Sequence, residues 1–348
     1  MIMIRLSLKT LSLGLAALAC LPFGSIASAE AIQWVTVGDP GNTADDTTYG
    51  AVSTSFQIMK YEFTNQQYTD FLNSVATTAD DYSLYNANMG SNARGGITQS
   101  IVADEYVYAV KPNMGDKPVN YVNWFDAARV ANWYQNGATS SSDTEDGAYT
   151  LVGGQTTGTA PARNNGATFY IPTEDQWYKA AYYKGGGAST GYWDYATQSD
   201  SAPTAVAAGS TGIGSAGSTG NFANYNYGAD WNSLNGNVTT VGTNGGPSAY
   251  GTFDMSGNVY EWNDRTGAAG SSLGLRGGRW DRNAFSLSSS NSDSGDPSVG
   301  SNSIGFRLAG PESSPSSVPE IDPSSLGSVL ALVLGSLGLL ERRRLKAA

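Results

Sequence analysis

Gly251-Thr252-Phe253-Asp254-Met255-Ser256-Gly257-Asn258-Val259-Tyr260-Glu261-Trp262 crowds carboxylates, small residues and aromatics more densely than an ordinary loop. Two readings of it stand side by side. Asp254 and Glu261 bracket Gly257 and Asn258, so a tight turn can gather two carboxylates and several backbone carbonyls around one hard cation such as Ca²⁺, which prefers oxygen ligands. The other reading is a Gly-Asn turn between two buried strands, with Trp262 as core.

Outward from this stretch, composition narrows the class. The chain of 348 residues has 43 Gly, 20 Tyr, 8 Trp, one Cys and no His, and charged residues make up 14%. Low charge with many aromatics and small polar residues predicts a loop-rich extracytoplasmic domain with one large core, not a helical bundle. Its formal net charge is −11, which repels nucleic acid and anionic membranes and tolerates cations. Cys20 lies in the leader, so the mature chain has no disulfide, thiolate ligand or cysteine nucleophile.

Both ends read as addresses. Arg5 and Lys9 precede the apolar run Leu11 to Leu21, and Ala27-Ser28-Ala29 supplies small residues before Glu30. That pattern predicts a secretory signal over residues 1–29, cleaved after Ala29. At the other end a Ser/Pro linker (312–317) leads to Val318-Pro319-Glu320, an apolar stretch from Ser324 to Leu340, and Arg342-Arg343-Arg344. The apolar stretch is about 25 Å long as a helix, enough to just span a bilayer with its arginines held inside. This three-part tail, residues 318–348, resembles a PEP-CTERM sorting signal, with Val-Pro-Glu-Ile-Asp-Pro a loose form of the usual Pro-Glu-Pro. The resemblance implies export in a Gram-negative-type bacterium and removal of the tail by a membrane exosortase. A plain C-terminal anchor is the simpler alternative.

Between the ends, strands are predicted at Ile32 to Val37, Phe56 to Tyr61 and Tyr106 to Val110, with the rest of 77–117 polar and irregular. Thr64 with Gln67 forms a capping box for a helix whose Tyr68, Phe71 and Leu72 face inward. Asn123 caps a second helix carrying Trp124, Ala128, Ala131 and Tyr134 on its apolar side and closed by Gly137. Thr173 and Gln176 box a third, where Glu174 and Asp175 suit the positive helix start and three glycines from Gly185 stop it. Residues 199–220, almost wholly Ser, Ala, Gly, Thr and Pro, predict a long surface loop. Leu275 to Trp280 and Ile304 to Leu308 read as core strands whose Arg276 and Arg307 need carboxylate partners.

In order along the chain, six markers accumulate: Glu62-Phe63-Thr64-Asn65, Pro118 to Trp124, Ile171 to Trp177, Asp254 to Trp262, Arg276-Gly277-Gly278 and Gly305-Phe306-Arg307. Together they resemble the formylglycine-generating enzyme family, also called sulfatase-modifying factor, over most of residues 32–309. What the resemblance implies is a single loop-rich α+β domain, residues 30–311, with a variant of the C-type lectin fold. It also implies structural calcium: one site from the Asp254 and Glu261 side chains with the Gly257 and Val259 carbonyls, and a second from Asn224, the Tyr225 carbonyl and Asp230.

Catalysis does not carry over. The oxygen-dependent members bind copper(I) through two cysteines shortly after the Gly-Gly pair, a demand of a soft ion for soft ligands. Here that segment, Trp280 to Ser289, holds no sulfur, and the histidines by which another branch holds non-haem iron are absent from the chain. Neither copper nor iron is expected. The sequence therefore predicts an exported, non-catalytic binding or structural module stabilised by calcium, with envelope polysaccharide or surface proteins as partners and no nucleic acid. Two alternatives stand beside it: a sulfatase-modifying-type enzyme with a divergent site using Asp281, Asp293 or Asp296, and a self-associating matrix protein.

Overall fold

The computed structural model describes residues 31–311. The expected signal (1–29), linker, sorting tail and apolar span at 324–340 lie outside the described residues. Among those described, no helix is long and apolar enough to cross a membrane. In chain order the elements are β1 (Trp34–Val37), β2 (Phe56–Met59), α1 (Asn65–Val75), α2 (Ala87–Ser91), β3 (Ile97–Val102), β4 (Glu105–Val110), α3 (Trp124–Gln135) and α4 (Glu174–Tyr182). There follow β5 (Thr204–Ala205), β6 (Phe222–Ala223), β7 (Tyr260–Asn263), β8 (Leu273–Arg276), β9 (Asp293–Gly295), β10 (Ile304–Gly305) and β11 (Ala309–Pro311), with a 3-10 turn at Ala284–Leu287.

Each of the three longer helices begins where its cap residue predicts. In α1 the Gln67 N–H donates to Thr64 Oγ1 at 3.2 Å and the Thr64 N–H donates to Gln67 Oε1 at 2.9 Å. Reciprocal boxes form at Asn123 with Asp126 and at Thr173 with Gln176, so helix starts are satisfied locally. At the end of α3, Ala138 N–H donates to Trp133 O and Gly137 N–H to Tyr134 O, with Gly137 at φ +95; this is a Schellman closure. Every residue of α3 from Trp124 to Trp133 is buried. Its sequence suggests one apolar stripe, but the fold wraps it on all sides, so Arg129 needs and finds Glu145 at 2.7 Å.

Two sheets frame the core. β1 and β11 flank β2 in an antiparallel trio that joins the two ends of the domain, with Val35 and Ala309 both opposite Ile58. The second sheet runs β10-β7-β8-β9, with β10 parallel to β7 and the others antiparallel. All residues of β7 and β8 are buried, as for strands covered on both faces. One aromatic core, including Trp124, Trp133, Trp177 and Trp262, lies between these layers.

The structure departs from the sequence reading in several places, among them the strand expected over Ile304 to Leu308, which covers only Ile304–Gly305. Residues 77–117 contain the hairpin β3-β4, joined by Ala103 (φ +52) and Asp104 (φ +66); the left-handed pair is not the Asn-Gly that advertises such a turn. Residues 199–220 are largely exposed, yet they contribute β5, paired in parallel with β6, and a buried Val206. The strand expected over Leu275 to Trp280 ends at Arg276 because Gly277 and Gly278 both turn to positive φ (+90 and +76).

Candidate functional site

The Asp254 to Trp262 stretch is a turn feeding a buried strand. Asp254, Gly257 and Asn258 all have left-handed backbones, at φ +60, +88 and +61, and β7 follows at once. A Cβ on Gly257 would lie 2.2 Å from the Asn224 carbonyl oxygen, so close approach of these two segments requires glycine. The Asn258 N–H donates to that same carbonyl at 2.8 Å.

Asn258 is the hub of a buried polar network. Its Nδ2 donates to Glu62 Oε2 at 2.7 Å, and its Oδ1 accepts from Thr239 N–H at 2.9 Å and Asn224 Nδ2 at 3.1 Å. Glu62 also accepts from the Val259 N–H at 3.3 Å. Burial, reinforced by the charges of Asp254 and Glu261, raises the Glu62 carboxyl well above the usual carboxylate range. Thus Glu62, Asn224 and Asn258, separated in sequence, fix the turn together.

Glu261 is not an open ligand. Its two oxygens accept from Arg307 Nε and Nη2, each at 2.6 Å, and Oε2 also accepts from Trp177 Nε1 at 2.8 Å. Both partners of this bidentate pair are fully buried. Burial opposes the Arg307 charge, but Glu261, with Glu62 and Asp254 behind it, outweighs burial, and the net effect raises the guanidinium pKa. Arg307 further donates to the Phe253 and Met59 carbonyls at 2.9 and 3.1 Å, stapling β7, β2 and the turn. The predicted need of Arg307 for an acid is met, and the acid is the residue expected to hold calcium.

Of the remaining expected ligands, Asp254 is engaged as well. Asp254 accepts from the Gly242 N–H at 2.5 Å and Asn244 Nδ2 at 2.8 Å, and burial raises its carboxyl. The Val259 and Gly257 N–H groups donate to Glu62 and to the Gly277 carbonyl, bonds that do not involve the carbonyl oxygens expected to face the ion. A calcium ion on Glu261 would have to share the carboxylate with the Arg307 guanidinium charge. The second set differs at one atom: Asn224 Oδ1 is buried with no hydrogen-bond partner. The Tyr225 carbonyl accepts from Gly228 N–H at 3.0 Å, and the exposed Asp230 accepts from Gly236 N–H at 2.7 Å. Among the described residues, no group of three or more His, Cys, Asp or Glu is arranged to hold a metal ion.

Arg276 also finds its partner, in Glu174 at 2.7 Å. That pairing, with Ser292 Oγ donating to Glu174 at 3.0 Å, gives Glu174 a structural post beyond the helix start proposed from sequence. It ties α4 to β8.

Beyond β8 the chain opens to solvent. A cleft of about 450 Å³ is lined by Asp281, Arg282, Asn283, Phe285, Asn291 and Asp293, among others. Arg282 and Asn283 are exposed, and Phe285 is 62% exposed. Beneath them Asp281 is paired with Arg279 at 2.8 Å, and Asn226 N–H donates to the Arg282 carbonyl at 2.8 Å, so a mostly solvent-facing set of side chains stands on a fixed backbone. Asp296 is fully exposed, and hydrogen bonds from the Ser298 N–H and hydroxyl hold it below the usual carboxylate range, unsuited to general-acid work near neutral pH. Sequence reading located Asp281 and Asp293 near this place but passed over Asn283, Phe285 and Asn291, which carry no spacing signal.

The chain matches the sulfatase-modifying factor enzyme 1-like domain over residues 28–311. Among curated proteins no significant relative was found. Similar solved structures include Treponema denticola variable protein 1 (20% identity, TM-score 0.44, 80% of this chain and 94% of that one) and CarF (19%, 0.45, 81% and 98%). PvdO from Pseudomonas aeruginosa is a third (19%, 0.39, 80% and 92%). With the family's domain spanning nearly the whole of the described residues, the chain belongs to the formylglycine-generating enzyme, or sulfatase-modifying factor, family.

Proposed function

We propose that this chain is a non-catalytic member of its family, exported to the cell envelope or extracellular polysaccharide, where it works as a binding module. The observation that carries this reading is the chemistry of the 450 Å³ cleft: a guanidinium, two carboxylates, three amides and an exposed phenyl ring, several of them in the segment where copper-dependent relatives are expected to carry cysteines. Such a lining donates and accepts hydrogen bonds and stacks, and it offers no soft ligand for copper(I). The lectin-type scaffold implied by the family resemblance suits that role, although a fold by itself assigns no activity. Export rests on the signal-like leader and the sorting-like tail, with an exosortase as the processing partner.

Pull-down of envelope polysaccharide and surface-protein fractions by the purified full chain tests the proposal, with Phe285→Ala and Asn283→Ala as cleft variants. Saturable binding weakened about tenfold or more by either variant is expected. Failure to bind any fraction, or stoichiometric copper with oxidation of a cysteine peptide, would sink it. Calcium belongs to this proposal only at the Asn224, Tyr225 and Asp230 set, on the strength of the unpartnered Asn224 Oδ1. There 1 mM Ca²⁺ raises the Tm of the wild type and leaves Asn224→Ala unmoved; equal response of both removes calcium from the account.

A further inference from the structure

A separate cleft of about 350 Å³ is bordered by Arg163, Asn164, Asn165, Tyr170, Thr266 and Gly267. Its arginine packs on an aromatic ring and makes no ion pair among the described residues. The Arg163 guanidinium carbon lies 4.0 Å from the Tyr170 ring centroid, a stacked contact that fixes its plane. Nη1 is buried without a hydrogen-bond partner. The ion pairs among the described residues go to Arg129, Arg276, Arg279 and Arg307, and none goes to Arg163. In a chain of net charge −11, a guanidinium left unpaired beside a cleft calls for an anion.

The neighbouring acid does not supply one. Asp264 is buried and accepts from the Tyr149 hydroxyl at 3.0 Å. Burial pushes its carboxyl up to about 8, so near neutral pH it is largely protonated and leaves the Arg163 charge uncancelled. Gly267 keeps the guanidinium uncovered: a Cβ there would already stand 3.9 Å from Nη2.

We infer that this cleft binds the carboxylate of an acidic sugar. A stacked guanidinium presents its donors in the plane that a carboxylate matches. Around it, Asn165 and Thr266 make no side-chain hydrogen bonds to protein and are exposed, which leaves an amide and a hydroxyl for sugar hydroxyls. Asn164 is held by bonds of 3.0 Å from its Nδ2 to the Gly147 carbonyl and to Thr150 Oγ1. With the Tyr170 face covered by Arg163, the cleft has no apolar anchor of the kind a peptide ligand fills. The site is distinct from the Arg282 cleft, so its loss leaves the reading of that cleft standing.

Calorimetric titration of the full chain with a galacturonate trimer, against maltotriose and sodium acetate, decides the matter. The trimer binds; Arg163→Gln and Asn165→Asp each weaken it at least tenfold, Arg163→Lys restores part of the affinity lost in Arg163→Gln, and Arg282→Gln leaves it unchanged. Asn165 is exposed, so its aspartate variant tests the charge requirement even if Arg163→Gln fails to fold. Wild-type affinity in both folded variants, equal binding of maltotriose, acetate binding as tight as the trimer, or no trimer binding by the wild type would each overturn the assignment.

Discussion

The turn at Asp254 to Glu261 and the cleft at Asp281 to Asp293 sit next to each other in the chain and use their polar side chains in opposite ways. In the first, almost every polar atom is consumed internally: Glu261 by Arg307 and Trp177, Glu62 by Asn258, Asp254 by Gly242 and Asn244. In the second, most side chains face solvent, with the Asp281–Arg279 pair fixed beneath them. The turn's polar residues therefore hold the fold, while the side chains of the open segment are left for the binding proposed above.

The comparison breaks first at Arg307. Replacing it with alanine leaves Glu261 charged and buried without a partner, at a cost of about 3–5 kcal/mol, read as a Tm fall of about 10 °C or more. Exchanging both residues for methionine is expected to recover much of that loss; if the single variant unfolds no earlier than wild type, the pair is not the staple described. Gly257→Ala comes next, since its Cβ would strike the Asn224 carbonyl; a loss on the order of 2–4 kcal/mol is expected in a denaturant titration.

The pH dependence separates buried acids from exposed ones. Burial pushes the Asp126 and Asp264 carboxyls up to about 8, from about 4 in an unfolded chain. A raised value means the folded protein keeps a proton that the unfolded chain has released, so their stabilisation is full below about pH 4 and is lost as the pH rises through 8. Each contributes a slope of about −1.4 kcal/mol per pH unit within that window. Tm should fall between pH 5 and pH 8, and Asp264→Asn should flatten the fall; a Tm that climbs over this range contradicts the assignment. The smallest expected effect is at the open cleft, where Phe285→Ala and Asn283→Ala change stability by less than about 0.5 kcal/mol while weakening ligand binding.

How far the sequence reaches is clearest at its arginines. Arg276 and Arg307 could be read as needing acids because a buried guanidinium is untenable alone. Their partners could not be read, since Glu174 is 102 residues from Arg276 and Glu261 is 46 from Arg307. Glu261 reads in sequence as an oxygen ligand because its chain neighbours are oxygen-rich, and the cation beside it in space, Arg307, is 46 residues away. The Ala103-Asp104 hairpin stayed hidden because its left-handed pair lacks the glycine that usually signals one.

The sequence by itself determined the helix starts at Thr64, Asn123 and Thr173, the buried tryptophans and the family, because capping and periodicity act over a few residues. Only the tertiary structure decided that Asn258 reaches Glu62 across 196 positions, that Glu261 serves Arg307, and that Arg163 is left without a partner beside a cleft. Those are long-range pairings of charge and hydrogen bond, and packing chooses among all the partners that local chemistry allows.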